Sequence, residues 1–526
     1  MNDARRTPPR VAQSPLGAFS PGQTDPGRRA KLVALAPRLD DYYRAKLAEV
    51  GATGAVVGIV LDGELVYAQG FGVRDVQTRA SVDIDTQFRL GSLTKSFTAA
   101  AVLQLRDEGR IALDAPAQSY LPELKSAPDS LRDVTAITPR QLLTMTSGLP
   151  HDDMWGAVTF GYSDAQLMAL LEGGLPLGSP PGQTYAYSNL GYAILGKIVE
   201  RVSGLTARAY ITTHILRPLG MTSSGWTEGE LSRVATGYHR QHEQLRAEPR
   251  PDDGVFATAG GLYSSMRDYA RYMAFQLAAY PPREGPETGP LRRSTRREMH
   301  TGHAWLRWDE DVPVASRGPD GRLALSAASY GFGWVNNTTC AYEGIVQHGG
   351  YEPGYYAYVR LLPQHGLGLA IFSTTASFGD YKSFEGALGL LRGAGVVDTA
   401  PAAVPPALRE ASTTINELLR SWDQALFLRT FDAQSVQYSW LSTLGEDFAR
   451  LKRDHGACEL DGALNPSGAA RVGWRMACER GALRLTVWLT PTRPPRIQSM
   501  QWKEESATSP GTQATGRADA SRPCSE

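Results

Sequence analysis

Long apolar runs, surplus charge of either sign and cysteine are all scarce in this chain of 526 residues, and each scarcity excludes something. No apolar stretch approaches the roughly 18 residues that cross a bilayer; the longest candidate, Gly54–Leu61, reads as a strand, so no transmembrane segment is expected. Basic and acidic side chains number 54 each and cancel. Without a long basic block there is nothing to neutralise phosphates, which argues against nucleic acid and against an anionic membrane surface. The first thirty residues carry Arg5, Arg6, Arg10, Arg28 and Arg29 among Pro, Ser and Gly but lack the apolar stretch of a secretory signal, leaving a cytoplasmic protein or one whose leader is missing. Four cysteines do not make a disulfide scaffold. Cys458 and Cys478 fall twenty residues apart on what read as neighbouring strands, either as free thiols or as a pair suited to an oxidising compartment.

Several catalytic signatures are also missing. There is no G-x-S-x-G elbow, no H-E-x-x-H, no Walker-type G-K-[ST] loop and no G-x-G-x-x-G fingerprint, and the nine histidines are scattered singly. An α/β-hydrolase, a zinc peptidase, a P-loop enzyme and a dinucleotide oxidoreductase are therefore not indicated.

What is present has a clear organisation. Residues 1–30 and 504–526 are rich in Ser, Thr, Gly, Pro and Arg and are expected to be disordered. The stretch TAPAAVPP at 399–406 reads as a linker between a large segment, 31–398, and a small α+β module, 407–503. In the large segment two apolar runs flank Asp62-Gly63, a pair that supplies the positive φ angles of a tight hairpin. A helix is expected from Ser92 to Glu108 and others at 138–146, 163–172, 189–203 and 264–278, with strands at 330–336, 343–348, 355–362 and 367–373. Hairpin, helices, then strands predict an α+β architecture with a mainly antiparallel sheet.

Three short groups carry chemistry. Ser92 and Lys95, three residues apart in a first helical turn, share a face. A serine hydroxyl needs a base within reach, and the positive end of the helix dipole, nearby cations and burial would all favour a neutral lysine. Tyr187-Ser188-Asn189 stands where a Pro-Gly turn leads into an apolar helix; Tyr187 suits proton transfer and Asn189 suits a hydrogen bond to substrate or to Lys95, although a capping Asn beside a packed aromatic reads equally well. His348-Gly349-Gly350 lies on a late strand, where the glycines permit close approach of a ligand and His348 could serve substrate binding or proton relay.

With Ser92-x-x-Lys95 after a hairpin, Tyr187-x-Asn189 ninety-five residues later and His348-x-Gly350 on a late strand, the sequence resembles the serine β-lactamase and penicillin-recognising hydrolase family, nearest its class C, D-alanyl-D-alanine carboxypeptidase and esterase branch. The resemblance covers about 31–395 and extends to FRLGSLTKSFT, LLTMTSGLP at 142–150 and AGGLYSSMRDYARYM at 259–273. It implies a β-lactamase/transpeptidase-like fold: an antiparallel sheet of five to seven strands flanked by helices, an all-helical insertion between about Leu113 and Thr258, and a site in the cleft between them. It also implies Ser92 as acylated nucleophile, Lys95 as its proton-transfer partner, Tyr187 as general base and later acid, Asn189, His348 and Gly350 as substrate-binding residues, and the backbone N–H groups of Ser92 and Tyr351 as oxyanion hole. No metal or cofactor is implied.

Two departures bear on substrate. Many class C β-lactamases place Lys where this chain has His348, and many relatives have His where it has Met145. A largely neutral His348 shifts the expectation from β-lactams towards a small acyl substrate that is an ester, a D-amino-acid amide or a peptidoglycan-type peptide. The alternatives are a true β-lactamase and a catalytically silent protein that binds β-lactams or cell-wall fragments. The family and the possible Cys458–Cys478 pair favour an extracytoplasmic location over a cytoplasmic one.

Overall fold

The computed structural model describes residues 27–125, 135–152, 161–226, 231–241, 244–249, 254–306, 315–317, 323–339, 342, 344–375, 381–397, 404–466 and 470–505. Of the expected tails, 1–30 and 504–526, residues 1–26 and 506–526 lie outside the described residues, as does most of the expected linker, 399–403, whereas residues 28–30 belong to a helix and 504–505 to a strand. The chain divides into two compact units after residue 398.

The first unit begins with a helix, Arg28–Val50, that the sequence reading did not anticipate. Pro37 sits in its interior and its apolar residues recur only loosely, yet Leu32, Leu35, Leu39 and Tyr43 are all buried by tertiary packing. Gly51, at φ 62°, takes the left-handed conformation that turns its N–H back onto the last carbonyls and ends the helix. Strands β1 (Gly54–Leu61) and β2 (Glu64–Gly72) follow as the expected hairpin, with Asp62 and Gly63 at φ 52° and 84°. Next come β3 (Gln87–Arg89), the small hairpin β4 (Tyr238–Gln241) and β5 (Gln244–Ala247), and β6 (Tyr263–Ser265), which pairs with β3. The remaining strands are β7 (Ala304–Trp305), β8 (Ala315–Arg317), β9 (Leu323–Tyr330), β10 (Val335–Thr339), β11 (Ile345–Glu352), β12 (Tyr355–Leu362) and β13 (Leu367–Ser373).

These assemble an antiparallel sheet in the order β2-β1-β13-β12-β11-β10-β9-β7, with β8 paired to β9. Among the described residues it has nine strands, more than the five to seven expected. The reading at 330–336 ran together two strands that turn at Gly331–Trp334, where Gly333 adopts φ 75° and a side chain on Gly331 would collide with the Met299 carbonyl at 2.3 Å. The insertion is not all-helical either. It carries helices Pro139–Leu143, Asp164–Glu172, Asn189–Ser203 and Ala207–Ile211, but also β4 and β5, whose sequences YHRQ and QLRA offer no helical apolar stripe.

Why GAVVGIVL is apolar without alternation is now plain, because both faces of β1 are covered. Val56 and Val60 join the core containing Leu93, Phe97, Met266 and Tyr269. Ala55, Val57, Ile59 and Leu61 join the opposite core, with Leu39, Tyr43, Phe384 and Leu388. Between them Gly58 leaves room for Met266, whose sulfur would lie 2.4 Å from any added Cβ.

The second unit packs helices Pro406–Arg420, Gln424–Thr430, Ala433–Gln437 and Leu444–His455 against an antiparallel sheet of β14 (Cys458–Pro466), β15 (Arg471–Cys478), β16 (Ala482–Leu489) and β17 (Ile497–Glu505). Trp474, Leu485 and Met500 are fully buried in its core. Cys458 and Cys478 face each other across β14 and β15 and are joined by a disulfide. Among the described residues no helix is long and apolar enough to cross a membrane.

Candidate active site

Ser92 lies in a short 3-10 turn, Gly91–Leu93, that leads directly into the buried helix Thr94–Asp107. The turn is fixed on both sides by backbone. Leu90 N–H donates to the Leu262 carbonyl at 2.8 Å, and Gly91, at φ 51°, approaches β11 so closely that a Cβ there would sit 2.9 Å from the Tyr351 nitrogen. From the other side, a Cβ on Gly350 would lie 1.9 Å from the Leu90 oxygen and 3.1 Å from the Ser92 nitrogen. The two glycines therefore bring the backbone amides of Ser92 and Tyr351 to one place. The Tyr351 side chain is 58% exposed.

Two of the expected groups converge on Ser92 Oγ. Tyr187 Oη donates to it at 2.7 Å, and Lys95 Nζ donates at 3.0 Å. Lys95 is fully buried, with further bonds to Asn189 Oδ1 at 2.6 Å and the Ala259 carbonyl at 3.0 Å. Three acceptors match the three N–H donors of an ammonium group. The Lys95 nitrogen also stands 4.8 Å from the centre of the Tyr187 ring.

His348 arrives from β11, its ring centre 6.4 Å from that of Tyr187. It is buried, with Nδ1 2.6 Å from the Gly349 carbonyl and Nε2 3.2 Å from Tyr330 Oη. A carbonyl only accepts, so Nδ1 carries the proton and Nε2 accepts from Tyr330. Burial, reinforced by the charge of Lys95, lowers the His348 pKa to about 4, which makes it neutral at pH 7. Burial also pushes the Tyr330 hydroxyl well above its ordinary value, keeping it a donor.

The sequence reading missed Asp152. Its carboxylate accepts from Asn189 N–H at 2.6 Å, Leu190 N–H at 2.9 Å and the Ser188 hydroxyl at 2.9 Å, and its own N–H donates to the Tyr187 carbonyl at 3.2 Å. One residue thus clamps the segment bearing Tyr187 and Asn189 and places a negative group at the N-terminus of the helix Asn189–Ser203. Met145, the departure noted above, sits behind the same segment at φ 58°. Its carbonyl accepts from Ala186 N–H at 2.8 Å, and its sulfur lies 3.4 Å from the Ser188 nitrogen. Also missed was the buried pair Arg89–Glu352, 3.9 Å apart, which ties the strand entering the Ser92 turn to the residue after Tyr351.

Comparison with known proteins adds the following. A family model described as Beta-lactamase matches residues 39–391. Esterase EstB of Burkholderia gladioli is 33% identical over 265 residues, 47% of this chain and 65% of that protein. Protein flp of Staphylococcus aureus strain N315 is 26% identical over 344 residues, 65% of this chain and 63% of that protein. The chain thus spans a little under two-thirds of the length of these relatives. The octameric penicillin-binding protein homologue from Pyrococcus abyssi shares the fold with a TM-score of 0.55 at 23% identity, covering 86% of this chain and 96% of that one. EstCE1, a hydrolase with promiscuous acyltransferase activity, matches with a TM-score of 0.55 at 20% identity over 70% of this chain and all of its own.

Proposed function

Because the chain belongs to the β-lactamase family, we propose that it is a serine hydrolase working through an acyl-enzyme on Ser92, with an ester as its preferred substrate. The observation that carries this reading is the double approach to Ser92 Oγ, by Tyr187 Oη at 2.7 Å and Lys95 Nζ at 3.0 Å. In the reactive form Tyr187 is the phenolate, held beside the Lys95 ammonium, and Ser92 Oγ attacks the acyl carbon while its proton passes to the Tyr187 oxygen. The developing oxyanion is held by the Ser92 and Tyr351 backbone N–H groups, whose charge-matched placement before reaction is the largest single contribution of such sites. Tyr187 then delivers the proton to the leaving oxygen as the bond to carbon breaks. Water enters, loses a proton to Tyr187, and releases the acid from Ser92 by the reverse sequence. Lys95 sets the charge beside this proton path, and Asn189 holds Lys95 and the substrate.

The ester preference rests on charge. A β-lactam or a C-terminal peptide presents a carboxylate that needs a cation. Lys95 spends its N–H groups on Ser92, Asn189 and Ala259, and His348 is neutral with both ring nitrogens engaged. The likeness to an esterase from Burkholderia gladioli supports the same substrate class. The Cys458–Cys478 disulfide supports an extracytoplasmic location.

Intact-mass analysis after incubation with a fluorophosphonate, and separately with a fluorescent penicillin, tests the mechanism. Wild type should gain one adduct and Ser92→Ala none; absence of any Ser92-dependent adduct with either probe overturns it. Turnover of p-nitrophenyl acetate should exceed that of nitrocefin, and the reverse order would restore the β-lactamase reading.

A further inference from the structure

Apart from the Ser92 site, the first unit holds a cavity of about 500 Å³, within the range of small-ligand sites. Its walls include Asp114, Arg140, Thr146, Gln183, Tyr185 and Trp305. It communicates with the site through rings: Tyr185 lies 5.7 Å from Tyr330, centre to centre, and Tyr330 bonds His348.

The walls are held in place without a ligand. Arg140 grips Asp114 with two N–H groups, at 2.6 and 2.8 Å, and this fork leaves the pair with no net charge. Gly182 N–H bonds the Thr146 carbonyl at 2.6 Å, and His303, next to the Trp305 strand, stacks on Phe332 at 4.2 Å. Against this fixed frame Trp305 is anomalous, because the indole on edge strand β7 is 77% exposed and faces the cavity as one of its lining residues.

The chemistry of the ligand follows from these groups. A cavity whose only ion pair is internally neutralised among its lining residues does not select an anion or a cation. Hydroxyl, amide, guanidinium and carboxylate groups together donate and accept in many directions, as a ring of hydroxyls requires. An exposed flat indole offers the apolar C–H face of a pyranose a surface on which to stack. We propose that this cavity is a binding site for a neutral sugar, with Trp305 as its stacking platform and Gln183 and the Arg140–Asp114 fork as its hydrogen-bonding wall.

Saturation-transfer NMR on the full chain tests this with chitobiose, cellobiose and maltose at up to about 20 mM, a range that captures millimolar affinity. At least one disaccharide should receive saturation, and titration should show binding weakened about tenfold or more in Trp305→Ala, with a smaller loss in Gln183→Ala. Both side chains are exposed, so unchanged melting curves will show that the variants remain folded. Ser92→Ala should bind the sugar like wild type, which separates this site from the hydrolase reading: the sugar result stands or falls whether or not Ser92 is acylated. No transfer to any of the three sugars, or equal affinity in Trp305→Ala, overturns the proposal.

Discussion

Asp152 is the most informative residue to perturb, since it touches no substrate in the proposed mechanism and yet fixes two groups that do. Its carboxylate takes three donors, Asn189 N–H, Leu190 N–H and the Ser188 hydroxyl, all buried. Asp152→Ala strands those donors. A buried donor without a partner costs ~1–3 kcal/mol, and water entering the space left by the side chain recovers part of this, so the net loss is about 3–5 kcal/mol, as when one partner of a buried charged network is removed. Asp152→Asn keeps one acceptor oxygen and turns an amide nitrogen towards the other donors; its loss should be about 1–3 kcal/mol. Catalysis should suffer beyond stability, because Asn189 Oδ1 holds Lys95 Nζ at 2.6 Å and a displacement of ~1 Å in such a constellation costs on the order of 100-fold. Thermal melting should place Asp152→Ala about 5 °C or more below wild type, since ~1 kcal/mol shifts a domain of moderate size by about 2–4 °C. The rate of labelling by fluorophosphonate at 20 °C, where both proteins are folded, should fall about 100-fold. Asp152→Ala that melts with wild type and labels within a few-fold of its rate would refute the clamp.

Other expectations follow from the same geometry. His348 is held neutral down to about pH 4, whereas an unfolded histidine binds its proton near pH 6.5. Stability from this group is complete above pH 6.5 and is lost as pH falls towards 4, at up to ~1.4 kcal/mol per pH unit; urea unfolding between pH 7 and 4.5 should be less pH-dependent in His348→Asn, and an unchanged dependence counts against the buried neutral state. Gly350→Ala puts a methyl 1.9 Å from the Leu90 oxygen and should lower the acylation rate at least 100-fold, while Gly349→Ala, whose methyl meets the Tyr358 ring at 3.3 Å, should cost far less; equal effects would dismiss the backbone contact as the cause. Thiol mapping of denatured, unreduced protein should find Cys458 and Cys478 blocked, and replacing both by Ser should destabilise the second unit by about 3 kcal/mol for a loop of this length; recovery of both as free thiols would contradict the pairing.

The proposed chemistry was legible in the sequence where it depends on side chains close in the chain or on turn residues with one conformational meaning. Ser92 and Lys95 are one helical turn apart, Tyr187 and Asn189 flank a cap, and Asp62-Gly63 marks its hairpin. What supports those groups was not legible. Lys95 draws one of its acceptors from a backbone carbonyl, Ala259, which has no signature in any residue type. Asp152 accepts from the first turn of a helix that starts 37 positions later, and the cap position itself is held by Ser188, which accepts from Gly191 N–H, not by the Asn189 that the sequence suggested. Helix Arg28–Val50 was hidden for a related reason. Its buried residues Leu32, Leu35, Leu39 and Tyr43 have helical spacing, but the apolar residues between them and the interior Pro37 blur the stripe, and packing against the sheet supplies its stability.

The same distinction bears on the substrate. The sequence exchanges a lysine, common in relatives, for His348, and that exchange by itself leaves open whether a protonated imidazole takes over the cation's work. The fold answers through neighbours that the sequence does not connect to residue 348. Tyr330, eighteen residues earlier and on another strand, occupies Nε2, and Lys95 raises the cost of a second positive charge. A protonated His348 could keep the Tyr330 contact only by reversing it, with the phenol oxygen as acceptor, and would stand as a charge in a buried site beside Lys95. Burial and the Lys95 charge both oppose protonation at neutral pH, so His348 does not supply the cation that a lysine would. On the proposed reading, a substrate whose recognition depends on a carboxylate at this position loses more than one that presents only an acyl carbonyl, and this is the ground on which esters are proposed ahead of β-lactams and C-terminal peptides.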